Sequence, residues 1–163
     1  WYFVINVEGV SALADAVGGV PLNALEDIPG TGITAGADQI LMGENAYLYV
    51  QYIDKTSANG AANRSARQRQ FVQAFASNVL AQATGNIQML VTLFNTAAAH
   101  SDTNLSATDF TYLASALISS DNSGVDIIEL TGTQLQQSDG TALRLDEQNL
   151  MNAVLSTFYV QAD

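Results

Sequence analysis

The order of apolar and polar positions in the first third of the chain alternates between strand-like and helical patterns. Gly18-Gly19 ends the first helical pattern, and Pro21 favours an edge strand. The pattern predicts a strand at 2–7, a helix at 10–17, an extended segment at 20–24, a loop at 28–36, and a short helix turning into a strand at 43–52.

Longer helical patterns dominate the rest of the chain. Ser106 and Asp109 resemble a capping box that opens a helix, and Asp146 is a second helix cap. The pattern predicts helices at 62–83, 87–99 and 107–118, strands at 125–130 and 141–145, a turn at 138–140, and a last helix after residue 146.

Mixed helices and strands without an internal repeat predict an α/β fold with one domain over residues 1–163. The architecture expected is an α/β/α sandwich around a mixed central β-sheet. Residues 1–7 read as a strand without an initiator Met, so we expect the chain to be part of a longer protein whose N-terminal portion is missing here.

Composition narrows the functional classes. The chain lacks cysteine, which excludes disulfides and zinc-thiolate sites. Five Lys and Arg face sixteen Asp and Glu, and the net charge of −11 argues against nucleic acid as a partner. No apolar run approaches the roughly 18 residues of a transmembrane helix.

Three of the five basic residues, Arg64, Arg67 and Arg69, fall within six positions. On a helical wheel with Phe71 at 0°, Arg64 lies at about 20°, Gln68 at about 60°, Arg67 at about −40° and Arg69 at about 160°. Arg64 and Gln68 therefore share the apolar side of the helix, Arg67 lies at its edge, and Arg69 faces away.

A cation on the apolar side of a helix, near its N-terminus, needs a negative partner. One reading is a bound phosphate, held by guanidinium donors and free N–H groups. The other is an internal ion pair with Asp54 or another carboxylate, and the geometry leaves both open. The stripes of Phe71, Phe75, Leu90 and Phe94 are likewise either core or the wall of a ligand tunnel.

Five segments follow one another along the chain: VINVEGVSALADAVGGVPLN at 4–23, LMGENAYLYVQYI at 41–53, NRSARQRQ at 63–70, TNLSATDFTYLASAL at 103–117 and DGTALRLDEQNL at 139–150. Their order resembles the LytR-CpsA-Psr family, also called cell envelope-related transcriptional attenuators. That family has a strand, a helix and a Gly-Gly-Val turn, then Gly-x-x-Ala-Leu-x-Tyr-x-Arg-x-Arg, then Gly-Arg-x-x-Arg-Gln.

The resemblance implies a membrane-anchored phosphotransferase of cell wall biogenesis on the extracytoplasmic face of the bacterial membrane. Such proteins bind a polyprenyl pyrophosphate carrier in an apolar tunnel and pass a glycopolymer phosphate, such as teichoic acid, to peptidoglycan. Arginines and Mg²⁺ hold the pyrophosphate. By motif match, Arg64, Arg67 and Gln68 are the phosphate-binding residues, whereas the catalytic residues stay unknown.

Two departures from the family pattern favour an alternative to the phosphotransferase function. Gln51 and Ile53 stand where the family usually has two arginines, and no metal-binding acids are evident in this chain. We therefore expect the chain alone to be inactive, and whether the intact protein is an enzyme stays open. The alternative is a degenerate, non-catalytic relative that binds a lipid-linked anion or scaffolds the envelope.

Overall fold

A computed structural model describes residues 1–83, 86–119, 127–137 and 140–159. The chain divides into two compact units, Trp1–Val125 and Asp126–Asp163. The predicted α/β class is confirmed. The assignment of all 163 residues to a single domain stays a prediction.

The first unit carries five helices and four short strands in its described residues. They are β1 (Phe3–Ile5), α1 (Gly9–Ala16), β2 (Val20–Asn23), β3 (Asp38–Leu41), α2 (Gly43–Gln51), α3 (Gly60–Ala83), α4 (Ile87–Ala99), β4 (Ser101–Thr103) and α5 (Ala107–Ser119). Strand β1 pairs antiparallel with β4, and β2 pairs antiparallel with β3. The sequence predicted one mixed central sheet, whereas the described strands of this unit form two separate antiparallel pairs.

The core of the first unit lies where α1, α2 and α3 meet the β2–β3 pair. Tyr49, Leu41, Val17 and Val20 are its largest fully buried apolar side chains. Burial of such side chains is worth about 1.5–3 kcal/mol each, so this cluster fixes the relative positions of α2 and α3.

The Gly-Gly turn after α1 connects this core to α3. Gly18 and Gly19 have φ of 71° and 96°, a left-handed conformation that glycine adopts without a Cβ penalty. The turn exposes backbone carbonyls, and the Asn78 side chain donates to the carbonyls of Gly19 at 2.7 Å and Val17 at 3.3 Å. The C-terminal third of helix α3 is thereby anchored to the turn that precedes β2.

Two predicted strands are wrong where the structure describes them. Helix α2 continues to Gln51 because Ala46, Tyr49 and Val50 are buried at helical spacing on one face. Residues 127–130 have no regular structure, and residues 125–126 lie outside the described residues.

The predicted helix caps are confirmed. Ser106 Oγ donates to Asp109 at 2.7 Å, and the Asp109 N–H donates to Ser106 Oγ at 3.2 Å. These hydrogen bonds hold the pKa of the Asp109 carboxyl below its usual range. The Asp146 carboxylate accepts from the N–H groups of Gln148 and Asn149 at the start of the last helix.

The second unit is a hairpin and a helix. Strands β5 (Gly132–Gln137) and β6 (Gly140–Leu145) pair antiparallel with Gly132 opposite Leu145, and α6 spans Glu147–Phe158. The predicted turn at 138–140 falls largely on residues 138–139, which lie outside the described residues. Within the described parts of the chain, no helix combines the length and apolarity needed to cross a membrane.

Candidate phosphate site and apolar cavity

Arg67 lies completely buried between α3 and the C-terminal end of α2. Its Nε donates to the Tyr49 carbonyl at 2.8 Å, and a terminal nitrogen donates to the Tyr52 carbonyl. The guanidinium carbon lies 5.9 Å from the Tyr49 ring centroid and 5.4 Å from that of Tyr52. Arg67 therefore satisfies carbonyls that the end of α2 leaves without helical partners, and it packs against two aromatic faces.

Glu26, in the loop after β2, supplies the negative charge that this buried cation requires. Its carboxylate pairs with the second terminal nitrogen of Arg67 and also accepts from Asn63 Nδ2 at 3.2 Å. The Arg67 side chain is 1% exposed and that of Glu26 is 23% exposed. Burial lowers the pKa of the Arg67 guanidinium, but an arginine stays protonated at neutral pH, so the pair carries a full charge on each side.

Tyr49 extends the buried network toward β2. Its hydroxyl accepts from the Leu25 N–H at 3.0 Å and donates to Gln70 Oε1 at 2.5 Å. Gln70 Nε2 in turn donates to the Asn23 carbonyl at 2.6 Å. Burial raises the pKa of the Tyr49 phenol, which keeps it neutral and able to donate.

Arg64 and Gln68 lie at the rim of this network. The Gln68 side chain is largely exposed, and its Nε2 donates to the Val50 carbonyl at 3.0 Å. The Arg64 side chain is half-buried, and its guanidinium makes no hydrogen bond or ion pair with any residue that the structure describes. Its guanidinium donors are therefore available to an anion at the N-terminal end of α3, where helix N–H groups also favour negative charge.

The sequence left open an internal ion pair between an inward arginine and Asp54 or another carboxylate. In the structure, the arginine of such a pair is Arg67 and its partner is Glu26. Asp54 instead accepts from the Thr56 hydroxyl at 2.6 Å and from the Thr56 N–H at 2.8 Å, and these local hydrogen bonds lower the pKa of its carboxyl. Arg67 is fully buried and its guanidinium is engaged by three acceptors, which suits a role in positioning the site. The phosphate-binding roles that the motif match assigns to Arg64, Arg67 and Gln68 stay predictions.

The two positions that depart from the family pattern flank the same corner. Gln51 is the last residue of α2, and Ile53 lies in the segment that leads to α3. Gly60 begins α3 directly against that segment, where a Cβ would collide with the Asp54 carbonyl and contact the Ile53 side chain at 3.4 Å. Side chains at 51 and 53 are thus within the neighbourhood of the N-terminal turns of α3.

An apolar cavity of about 440 Å³ opens further along α3. The residues lining it are all apolar and come from α1, α3, α4, α5 and the residue before α5's cap, and they include Phe75, Val79, Leu90, Leu113 and Ala114. The predicted apolar stripes therefore divide: Phe71 and Phe94 are buried core and Phe75 lines the cavity, whereas Leu90 is both buried and part of the cavity wall.

Arg64 and Gln68 share one face of α3 with this cavity. Phe75 follows Gln68 by seven residues, which is two helical turns or about 10 Å along the axis. A cationic, hydrogen-bonding head region therefore precedes an apolar cavity along one helix. This arrangement defines a site suited to an amphiphile with an anionic head and an apolar tail.

The chain belongs to the LytR_cpsA_psr family, whose model matches residues 1–157. None of the curated proteins compared matches the chain in sequence. Among solved structures, a transcriptional regulator from Enterococcus faecalis is similar, with a TM-score of 0.73 and 23% identity over 95% of this chain and 56% of that chain.

Two similar structures carry Tag names. B. subtilis TagV has a TM-score of 0.71 and 20% identity over 98% of this chain and 65% of its own. TagT bound to LI-WTA has a TM-score of 0.66 and 19% identity over 93% of this chain and 56% of its own. These likenesses establish the fold, and the chain spans between about half and two thirds of the length of these structures.

Mg²⁺ is bound by oxygen donors, such as carboxylates. The described residues bring together no group of three or more acidic or histidine side chains able to hold a metal ion. The Glu26 carboxylate, which is next to the candidate site, is occupied by Arg67 and Asn63. The described residues therefore do not fit the Mg²⁺ that the family resemblance implies.

Proposed function

We propose that the chain forms the carrier-binding part of a cell-envelope phosphotransferase, which moves a glycopolymer phosphate from a polyprenyl-pyrophosphate carrier to peptidoglycan. The observation that carries this proposal is the shared face of α3, with Arg64 and Gln68 upstream of the apolar cavity. The pyrophosphate lies against Arg64, and the polyprenyl chain enters the cavity. The location that follows is the extracytoplasmic face of the membrane.

The proposed reaction is a phosphoryl transfer to a hydroxyl of peptidoglycan. The acceptor oxygen forms a bond to the phosphorus that bears the glycopolymer, the P–O bond of the anhydride breaks, and polyprenyl monophosphate leaves. The hydroxyl proton passes to a base that the described residues do not identify. This chain contributes binding and orientation: Arg64 neutralises phosphate oxygens, and the cavity fixes the carrier.

A binding-only relative is the second candidate, and Gln51 and Ile53 favour it. An amide and an alkyl group at these positions supply no positive charge to a pyrophosphate that carries about two negative charges. In this version, the protein retains a lipid-linked anion without transferring its glycopolymer. Release of polyprenyl monophosphate when peptidoglycan is added to the intact protein, loaded with the glycopolymer-bearing carrier, separates the two candidates.

Filling the cavity tests the proposal through Ala114→Phe. The phenyl ring occupies space for several methylenes of the carrier, and each methylene is worth about 0.8 kcal/mol, so we expect affinity for geranylgeranyl pyrophosphate to fall by roughly ten-fold or more. Calorimetry in mild detergent provides the measurement.

Ala116→Phe is the matched control, because Ala116 lies two residues away on α5, is exposed and does not line the cavity. Ala114→Phe should leave the affinity for inorganic pyrophosphate unchanged. If the unaltered protein binds inorganic pyrophosphate as tightly as geranylgeranyl pyrophosphate, the cavity does not hold the carrier and the proposal fails.

Duplex DNA is not expected to be a ligand, although one similar structure is described as a transcriptional regulator. The net charge of −11 repels a polyanion, and the single cluster of arginines loses Arg67 to an internal pair. We expect no binding to a 30-base-pair duplex at micromolar protein and physiological salt by fluorescence anisotropy. Sub-micromolar affinity would contradict this prediction.

A further inference from the structure

Glu26 contacts two side chains that bracket Arg64 on α3. Asn63 directly precedes Arg64 and donates to one carboxylate oxygen of Glu26 at 3.2 Å. Arg67 follows Arg64 by three residues and pairs with the other oxygen. One carboxylate therefore bridges consecutive turns of the helix at positions i and i+4, and Arg64 lies between the two bridged residues.

This bridge also fills an electrostatic gap in α3. The first turn of α3 contains no acidic residue, although the partial positive charge at a helix N-terminus favours one. Glu26 provides a negative charge near that end from the loop after β2. Because its carboxylate is committed to Arg67 and Asn63, it does not pair with Arg64, whose guanidinium makes no hydrogen bond or ion pair to the part of the chain that the structure describes.

We propose that Glu26 is a positioning residue for the anionic head of the ligand: by bridging Asn63 and Arg67 it fixes the turn of α3 that carries Arg64. This inference rests on the proposed function, because it assigns Arg64 to the phosphate. The rest of the network supports it, since Arg67 joins the same bridge to the carbonyls of Tyr49 and Tyr52. Loss of the Glu26 charge loosens this corner and frees Arg64 from its fixed orientation.

Two measurements on Glu26→Gln test the positioning role. Hydrogen exchange should become faster in residues 61–66 and stay unchanged in residues 75–83, which begin about two helical turns after Arg67. Affinity for geranylgeranyl pyrophosphate, measured at a temperature where each variant is folded, should fall by roughly ten-fold. Combined with Arg64→Ala, the losses should be less than additive, because a displaced Arg64 has little binding left to lose.

Asp27→Asn is the matched control. It removes the same charge one residue away, and its carboxylate accepts from the Ala35 N–H within the loop at 2.8 Å rather than from α3. Unchanged affinity in Glu26→Gln, or strictly additive losses with Arg64→Ala, overturns the positioning role while the proposed function stands. If the unaltered protein binds no geranylgeranyl pyrophosphate, both the positioning role and the proposed function are overturned. Faster exchange in Glu26→Gln would then show that Glu26 is a structural bridge only.

Discussion

Arg67→Ala is expected to cost the protein several kcal/mol of folding free energy. The substitution removes hydrogen bonds to the carbonyls of Tyr49 and Tyr52 and leaves the Glu26 carboxylate without its cationic partner. Removing one member of a buried ion pair costs about 3–5 kcal/mol, because the remaining charge stays partly desolvated. For a chain of this size we expect Tm to fall by roughly 6–20 °C, measured by circular dichroism or calorimetry.

Arg64→Ala is the internal control for that experiment. It deletes the same side chain one turn earlier on α3, where the guanidinium makes no hydrogen bond or ion pair with the described residues. We expect a change in folding free energy of less than about 1 kcal/mol. If Arg67→Ala lowers Tm no more than Arg64→Ala does, the buried network contributes little to the free energy of folding. The positioning role of Arg67 would then have to be abandoned.

The helical wheel predicted the correct helix but centred its inward face wrongly. Its reference direction came from Phe71, Phe75 and Val79, and the last two are only partly buried, because they line the cavity while packing against the core. The fully buried direction instead passes through Arg67 and Phe71. Periodicity does not distinguish an apolar wall from a packed core, because both require apolar side chains at the same spacing.

Glu26 was not found from the sequence, for a different reason. The need for a carboxylate beside an inward arginine follows from elementary electrostatics. However, Glu26 lies 41 residues before Arg67 and is one of sixteen acids. Only the tertiary packing of the loop after β2 against α3 selects it, and local pattern carries no information about that packing.

Local signals predicted caps and turns well because the forces that make them act within a few residues. Residue type and spacing correctly predicted two helix caps and one turn. These are the capping box of Ser106 and Asp109, the cap at Asp146, and the Gly18-Gly19 turn. Helix α2 was read incorrectly at its end because Tyr49 and Val50 are good strand formers. Their burial against the core overrides that preference.

Restoring the two family arginines is expected to strengthen ligand binding in the double variant Gln51→Arg with Ile53→Arg. Both positions lie at the corner between α2 and the start of α3, close to the turn that carries Arg64. A hydrogen bond to a charged group contributes about 1.5–3 kcal/mol, so two new guanidinium contacts should tighten binding of geranylgeranyl pyrophosphate by ten-fold or more. Arg64→Ala should weaken binding by roughly ten-fold or more for the same reason.

Asn45→Arg with Asn95→Arg separates this local effect from a general change in charge. Both residues are exposed and do not line the cavity, and the pair changes the net charge from −11 to −9, as the double variant at 51 and 53 does. Because Ile53 packs near Gly60, Tm is measured in parallel to confirm that the new arginine is accommodated. Equal affinity in the double variant, the charge control and Arg64→Ala would place the anion elsewhere on the protein. A gain confined to positions 51 and 53, with a loss at Arg64, would locate the pyrophosphate at the N-terminal end of α3.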